Sequence, residues 1–269
     1  MKGVFQGCVY FLMVVTASIY VPAPVYATPV IIDRNKTPLA AEVNHKKDTL
    51  HKLFDQILHK YVNNGRVDYA GIKTDQRYYD YLEFIKQTNP DSFTTKNEKI
   101  AFWINAYNAL AIKGILEGLS PGSLLGRAKY FIIRDYEAGG RHINLYHLER
   151  EVLIPFADPR IHFAIVCAAV SCPKLRSEAY TAARLNQQLD EDARAFINNP
   201  EKNFFNIKTK TARLSKIFDW FHEGFEQHAG SVQKYILQYM EDPETAALLD
   251  RDGFHVKYLR YDWRLNDTL

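Results

Sequence analysis

From Asp48 to Val62, Leu50, Leu53, Phe54, Ile57, Leu58 and Tyr61 recur at helical spacing, and Asn63-Asn64-Gly65 stops that pattern. A short extended piece, Val67-Asp68-Tyr69, leads into a second predicted helix over about 74–88, packing through Tyr78, Tyr81, Leu82 and Ile85. Thr95-Lys-Asn-Glu98 fits a capping box, in which hydroxyl and carboxylate satisfy reciprocal backbone N–H groups. Ile100, Trp103, Ile104, Tyr107, Leu110 and Ala111 follow at i, i+3, i+4 and i+7, so this third helix should be central. Asn105 and Asn108 share another face of it, and amides on so apolar a helix either bond neighbouring backbone or line a pocket.

Further along, Tyr130–Ile133 and His142–Leu145 flank Gly139-Gly140 and predict a hairpin. Asn144 can cap a short helix to about Leu153 that presents His147 and Glu149. From Arg160 to Val170 almost every position is apolar, and Ile161, Phe163, Ile165, Val166 and Val170 are β-formers. This run reads as a buried strand ending in the polar turn Ser171-Cys172-Pro173. Thr181 then predicts a helix cap, with the helix reaching about Asn198. Phe204–Ile207 and Ala212–Leu214 predict a second hairpin, and Ser215 caps a helix bearing Ile217, Phe218, Trp220 and Phe221. A helix over about 231–240 and strands at Phe254–Leu259 and Tyr261–Asn266 close the chain. The fold class expected is α+β: a single domain with helices packed on a small mixed β-sheet.

The first residues carry a different signal. Lys2 precedes an apolar run from Val9 to Val21 that is short for a bilayer span, and Val25-Tyr26-Ala27 suits a signal peptidase. Residues 1–27 are read as a signal peptide, 28–47 as a flexible leader and 48–269 as the domain. An uncleaved anchor is the alternative. Cleavage leaves an exported chain, periplasmic or secreted, with no stable membrane span. A formal charge of +3 and dispersed basic residues argue against nucleic acid as a partner, which leaves a small molecule or peptide.

With Cys8 in the signal, only Cys167 and Cys172 remain, so no disulfide framework holds the fold. Along a straight strand these two lie roughly 16 Å apart, and a bond needs Cα atoms within about 7 Å. Pairing therefore requires a sharp turn near Ala168 or Ala169. Strand alternation puts His162, Ala164 and Val166 on one face and Cys167 on the other, leaving Cys172 free to return toward His162. A cysteine nucleophile needs an imidazole and a third group to orient it. Cys172, His162 and Glu149 are the catalytic candidates, Glu149 because its helix directly precedes the His162 segment, with His147 and Asn105 as alternatives for the orienting group. Asn105, Asn108 and Ser171 are binding candidates. Each has a plainer role available: His162 as a neutral core histidine, Cys172 as a buried or disulfide-bonded thiol, Glu149 as a solvated helix residue. No dinucleotide, phosphate-loop, serine-elbow or zinc motif is present, so no cofactor and no metal are expected.

Ala101–Leu110, Asn144–Glu149, Arg160–Pro173, Leu214–Trp220 and Tyr258–Trp263 resemble, in this order, the family of the domain of unknown function 547 (DUF547), over about 67–266. Glu149, His162, Cys167 and Cys172 fall on its motif positions. The family's fold more loosely resembles papain-like thiol hydrolases in permuted form, which implies a Cys–His pair. One departure is Arg150, where the family often has histidine after the glutamate. Two functions are expected from this. One is a papain-like cysteine hydrolase acting on a peptide, amide or thiol-containing small molecule. The other is a non-catalytic ligand- or peptide-binding module with Cys167 and Cys172 structural.

Overall fold

In the computed structural model, which describes residues 40–251 and 253–268 with side chains from His51, helix α1 spans Ala40–Tyr61. It starts before the Asp48 expected from the sequence. The stretch read as a signal peptide, Cys8 and residues 28–39 of the expected leader lie outside the described residues. Phe54, Ile57 and Leu58 of α1 are buried, and Phe54 stacks on Tyr81 with ring centroids 4.6 Å apart. A tight turn at Asn64 and Gly65, both at positive φ, joins β1 (Val62–Asn63) to β2 (Arg66–Val67). Asp68 caps α2 (Tyr69–Lys73), and Tyr81 belongs to α3 (Gln76–Gln87).

Helix α4 (Lys96–Leu116) is the axis of the larger apolar cluster. Both halves of its capping box form: Thr95 Oγ1 accepts from the Glu98 N–H at 3.1 Å, and Glu98 Oε2 accepts from the Thr95 N–H at 2.8 Å. Every residue from Ile100 to Ile112 is buried. Asn105 and Asn108 are among them.

Past α5 (Leu124–Ala128), Lys129–Ile133 forms a π-helical turn where a strand was expected. The hairpin does form about Gly139-Gly140, but its first strand is β3 (Tyr136–Ala138), paired with β4 (Arg141–Ile143). Next come α6 (Leu145–His147), the π-helical turn Leu148–Leu153 and a 3₁₀ turn, Ile154–Phe156.

The stretch read as a buried strand is not one. Ile161–Ala164 is a single helical turn, α7, followed by irregular buried backbone. A continuous apolar run fits a buried helix or coil as well as a strand, and here local polar groups decide between them. Asp158 accepts from the Arg160 N–H at 3.1 Å and takes the Arg160 guanidinium on both oxygens, which starts the turn. The strand alternation argument therefore does not apply to His162 and the cysteines.

The rest builds a second apolar cluster from α8 (Leu185–Ile197), α9 (Lys216–Trp220), α10 (His222–Ala229), α11 (Val232–Leu237) and α12 (Pro243–Arg251). Thr181 does not cap α8, whose N-terminal flank at Arg184 makes no side-chain cap bond. The mixed sheet pairs β5 (Phe204–Asn206) antiparallel to β6 (Thr211–Leu214), and β6 parallel to β7 (His255–Tyr258). Tyr261–Asn266 is an irregular strap, not a strand, that bonds back to residues 168–171. The whole is a single α+β domain, as expected. Helix α7 lies on the seam between the clusters: Ile161 and Ala164 join the first, and Phe163 joins the second. Among the described residues, no helix is long and apolar enough to cross a membrane.

Candidate active site

Glu149 is delivered to the seam by the π-helical turn. Asn144 fixes where this helical run begins, its Oδ1 accepting from the His147 N–H at 2.8 Å and its Nδ2 donating to the Ile132 carbonyl at 2.8 Å. Leu145, Leu148 and Leu153 anchor the run in the core. Single π turns inside helices re-aim side chains and recur at functional sites. Here the turn buries a carboxylate that a solvated helix would have left in water.

His162, on α7, faces it. His162 Nδ1 lies 3.9 Å from Glu149 Oε1, with both side chains less than a tenth exposed. This is ion-pair range, too long for a direct hydrogen bond. His162 Nδ1 is buried with no hydrogen-bond partner. The imidazole stacks on Phe221 at 3.8 Å and meets Phe225 at 5.9 Å. Burial pushes the Glu149 carboxyl up to about 7, opposed by the nearby Arg150 guanidinium. Burial pushes His162 down to about 3, and Arg150 lowers it further while Asp158 opposes. The imidazole is thus neutral at physiological pH, the form a general base requires. Arg150 stands over the Phe221 ring at 5.2 Å. Arg150 is therefore part of the electrostatics of the pair.

The cysteines are placed by α4. Asn108 Nδ2 donates to the Ala164 carbonyl and its Oδ1 accepts from the Val166 N–H, each at 3.0 Å. This clamp straddles the end of α7. The chain then reverses at Ala168 (φ +57°), and the Cys172 N–H closes a turn onto the Ala169 carbonyl at 3.0 Å. The reversal is the one that pairing required. Cys167 and Cys172 are disulfide-bonded, with Cα atoms 6.1 Å apart. The Cys167 N–H points at Cys172 Sγ from 2.8 Å, and Cys167 Sγ lies 3.2 Å from the Tyr261 hydroxyl.

Glu149, His162, Cys167 and Cys172 line one cavity of about 40 Å³, closed by aromatic rings including Trp220, Phe221 and Trp263. The structure thus brings the three catalytic candidates to one chamber, with Cys172 as half of a disulfide. It does not bring the binding candidates there. Asn105 is bonded to both backbone groups of Tyr180, at 2.8 and 2.9 Å. Asn108 is the clamp. Ser171 Oγ accepts from the Asp262 N–H at 2.8 Å and fastens the strap. The aromatic closure was missed as a functional feature, although Trp220 and Trp263 end two of the motifs named above. Their signal was tryptophan at a motif end, and it gave no hint of what the rings would cover.

Residues 90–197 match the model of the family described as "Protein of unknown function, DUF547". No curated protein and no solved structure gives a match to the chain. The matched stretch holds α4, Glu149, α7 and both cysteines, while the closing residues Trp220, Tyr261 and Trp263 lie beyond it. The stretch that is similar to the DUF547 family, residues 90–197, carries the whole Glu149–His162–Cys172 constellation.

Proposed function

We propose that the chain is an exported thiol hydrolase of papain-like character, acting on a peptide, amide or thiol-containing small molecule. One observation carries this reading: Glu149 and His162 are buried side by side, facing the same chamber as Cys172. Two ionisable groups held away from water, each with its charged form disfavoured, do nothing for stability that an apolar pair would not do better. Cys172 is the nucleophile, His162 the base and Glu149 the group that orients its ring. The disulfide keeps the nucleophile in reserve. A dithiol reductant supplies two electrons and two protons, becomes a disulfide itself, and leaves Cys167 and Cys172 as thiols. Neutral His162 then takes the Cys172 proton as sulfur attacks the acyl carbon, and returns it to the leaving group. Water hydrolyses the resulting thioester. The Cys167 N–H, already aimed at this sulfur, serves as a donor to the oxyanion.

The disulfide itself favours a second reading, a non-catalytic ligand- or peptide-binding module in which the two cysteines are structural. Hydrolysis of p-nitrophenyl acetate before and after treatment with dithiothreitol separates the two. The hydrolase turns over only when reduced and loses activity in Cys172→Ser. The binding module shows no cysteine-dependent turnover in either state.

A further inference from the structure

Cys172 and Pro173 also line a second cleft, of about 580 Å³. Arg66, Lys174 and Lys202 converge on it, and Glu201 is the one carboxylate among its lining residues. Several cations elsewhere on this chain sit on carboxylates: Arg77 on Asp75, Arg134 on Glu117, Arg160 on Asp158 and Asp190. The three in the cleft do not. Arg66 donates to the Asp267 backbone carbonyl at 3.1 Å, Lys174 to the Asn64 carboxamide at 2.6 Å, and Lys202 to the Val170 carbonyl. Among the described residues, none of them has a carboxylate within ion-pair distance.

The backbone is shaped to hold them there. Gly65, at φ +80°, lets the β1–β2 turn lie against Lys174, since a Cβ at this position would come within 2.7 Å of Lys174 Cγ. Asn199 accepts from the Glu201 N–H through its side chain and from the Lys202 N–H through its carbonyl, which fixes the turn that carries Lys202. Lys202 is driven toward its neutral form, first by burial and then by repulsion from Lys174, against the attraction of Glu201 and Asp262. An incoming anion offsets both costs by its attraction for the charged ammonium.

We infer that this cleft is the substrate's binding site for an anionic group, and that it seats the carboxylate of a carboxylate-bearing peptide or amide beside Cys172. The inference rests on the thiol-hydrolase reading for the word substrate, but its test does not depend on turnover. In the reduced protein, Cys172 is alkylated in parallel with iodoacetate, which is anionic, and iodoacetamide, which is neutral, and adducts are located by peptide mass spectrometry. Each rate is taken relative to a cysteine-containing model peptide, so any change in thiol reactivity cancels in the ratio.

The cleft predicts an iodoacetate-to-iodoacetamide ratio at Cys172 roughly ten times that of the model peptide, the low end of electrostatic focusing by a charged cleft. That ratio falls as salt is raised and approaches the model value in Lys174→Gln/Lys202→Gln. A ratio equal to the model peptide's and indifferent to salt overturns the inference. So does a Cys172 that neither reagent reaches after reduction. Anion preference without ester turnover removes the hydrolase and keeps the cleft, whereas turnover without anion preference does the reverse.

Discussion

Glu149 Oε1 and His162 Nδ1 face each other across 3.9 Å in a chamber where neither is solvated. Their displacements act on stability with opposite signs. Glu149 has its carboxyl raised from 4.5 to about 7, so the folded state binds the extra proton and stability falls as pH rises through that interval. His162 is lowered from 6.5 to about 3, so the unfolded state binds the extra proton and stability falls as pH drops through that interval. Between pH 4.5 and 6.5 the two slopes cancel. Glu149→Gln removes one slope, and its unfolding free energy should then rise by about 2 to 3 kcal/mol across this window. Denaturant melts at stepped pH check this, with the wild-type contribution from the pair flat over the same range.

Arg150 disfavours the charged imidazole and favours the charged carboxylate at once. Replacing it with glutamine should therefore raise the apparent pKa of both His162 and Glu149. Histidine side-chain NMR across pH reads the first directly. A His162 titration that does not move places the guanidinium's charge outside the pair's electrostatics.

Asn108→Ala should cost about 2 to 4 kcal/mol, because it leaves the Ala164 carbonyl and the Val166 N–H buried without partners. The loss should reach beyond stability. The clamp sets how the chain leaves α7, so reformation of the Cys167–Cys172 bond after reduction should be less complete than in wild type. Denaturant melts and free-thiol titration measure the two effects separately.

Reducing the disulfide should lower stability by about 2 kcal/mol, the loop-closure contribution of a bond between residues five apart. The domain should remain folded, since two large apolar clusters hold it without the bond. Chemical denaturation of Cys167→Ser beside wild type, both without reductant, reads this difference.

Most of the architecture was legible in the sequence because it depends on local signals. The Thr95–Glu98 box, the Asn144 and Ser215 caps and the Gly139-Gly140 turn are each complete within a few residues, and each forms. Failures came where polar groups, some adjacent and some distant, set the backbone of an apolar run. Residues 160–170 fit a buried strand by composition, and it took Asp158, Arg160 and an asparagine on α4 to make them a helical turn and a loop. Tyr130–Ile133, read as a strand, likewise belongs to a π-helical turn. Helix α12 escaped notice because Leu248 and Leu249 are the only large apolar side chains it buries.

At the site, the sequence set Cys172 beside His162 for a reason that does not hold, strand alternation, whereas Glu149 was chosen because its helix directly precedes His162 in the chain. The turn at Ala168 does what alternation was meant to do, and it also allows the disulfide. Arg150 could be noticed only as a departure from a motif. The basic cleft could not be seen at all, since Arg66, Lys174 and Lys202 lie far apart along the chain and meet only in the fold.

The most direct test of Cys172 as nucleophile is the site of acyl transfer. Reduced protein is mixed with p-nitrophenyl acetate, and peptide mass spectrometry locates the trapped acetyl group while the p-nitrophenol burst is timed. The account predicts an acetyl thioester on Cys172, absent without reduction, and formed about 10²-fold more slowly or worse in His162→Ala, the usual cost of losing a general base. Acetylation confined to Cys167 or to surface lysines, or a Cys172 adduct whose rate is indifferent to His162, contradicts it.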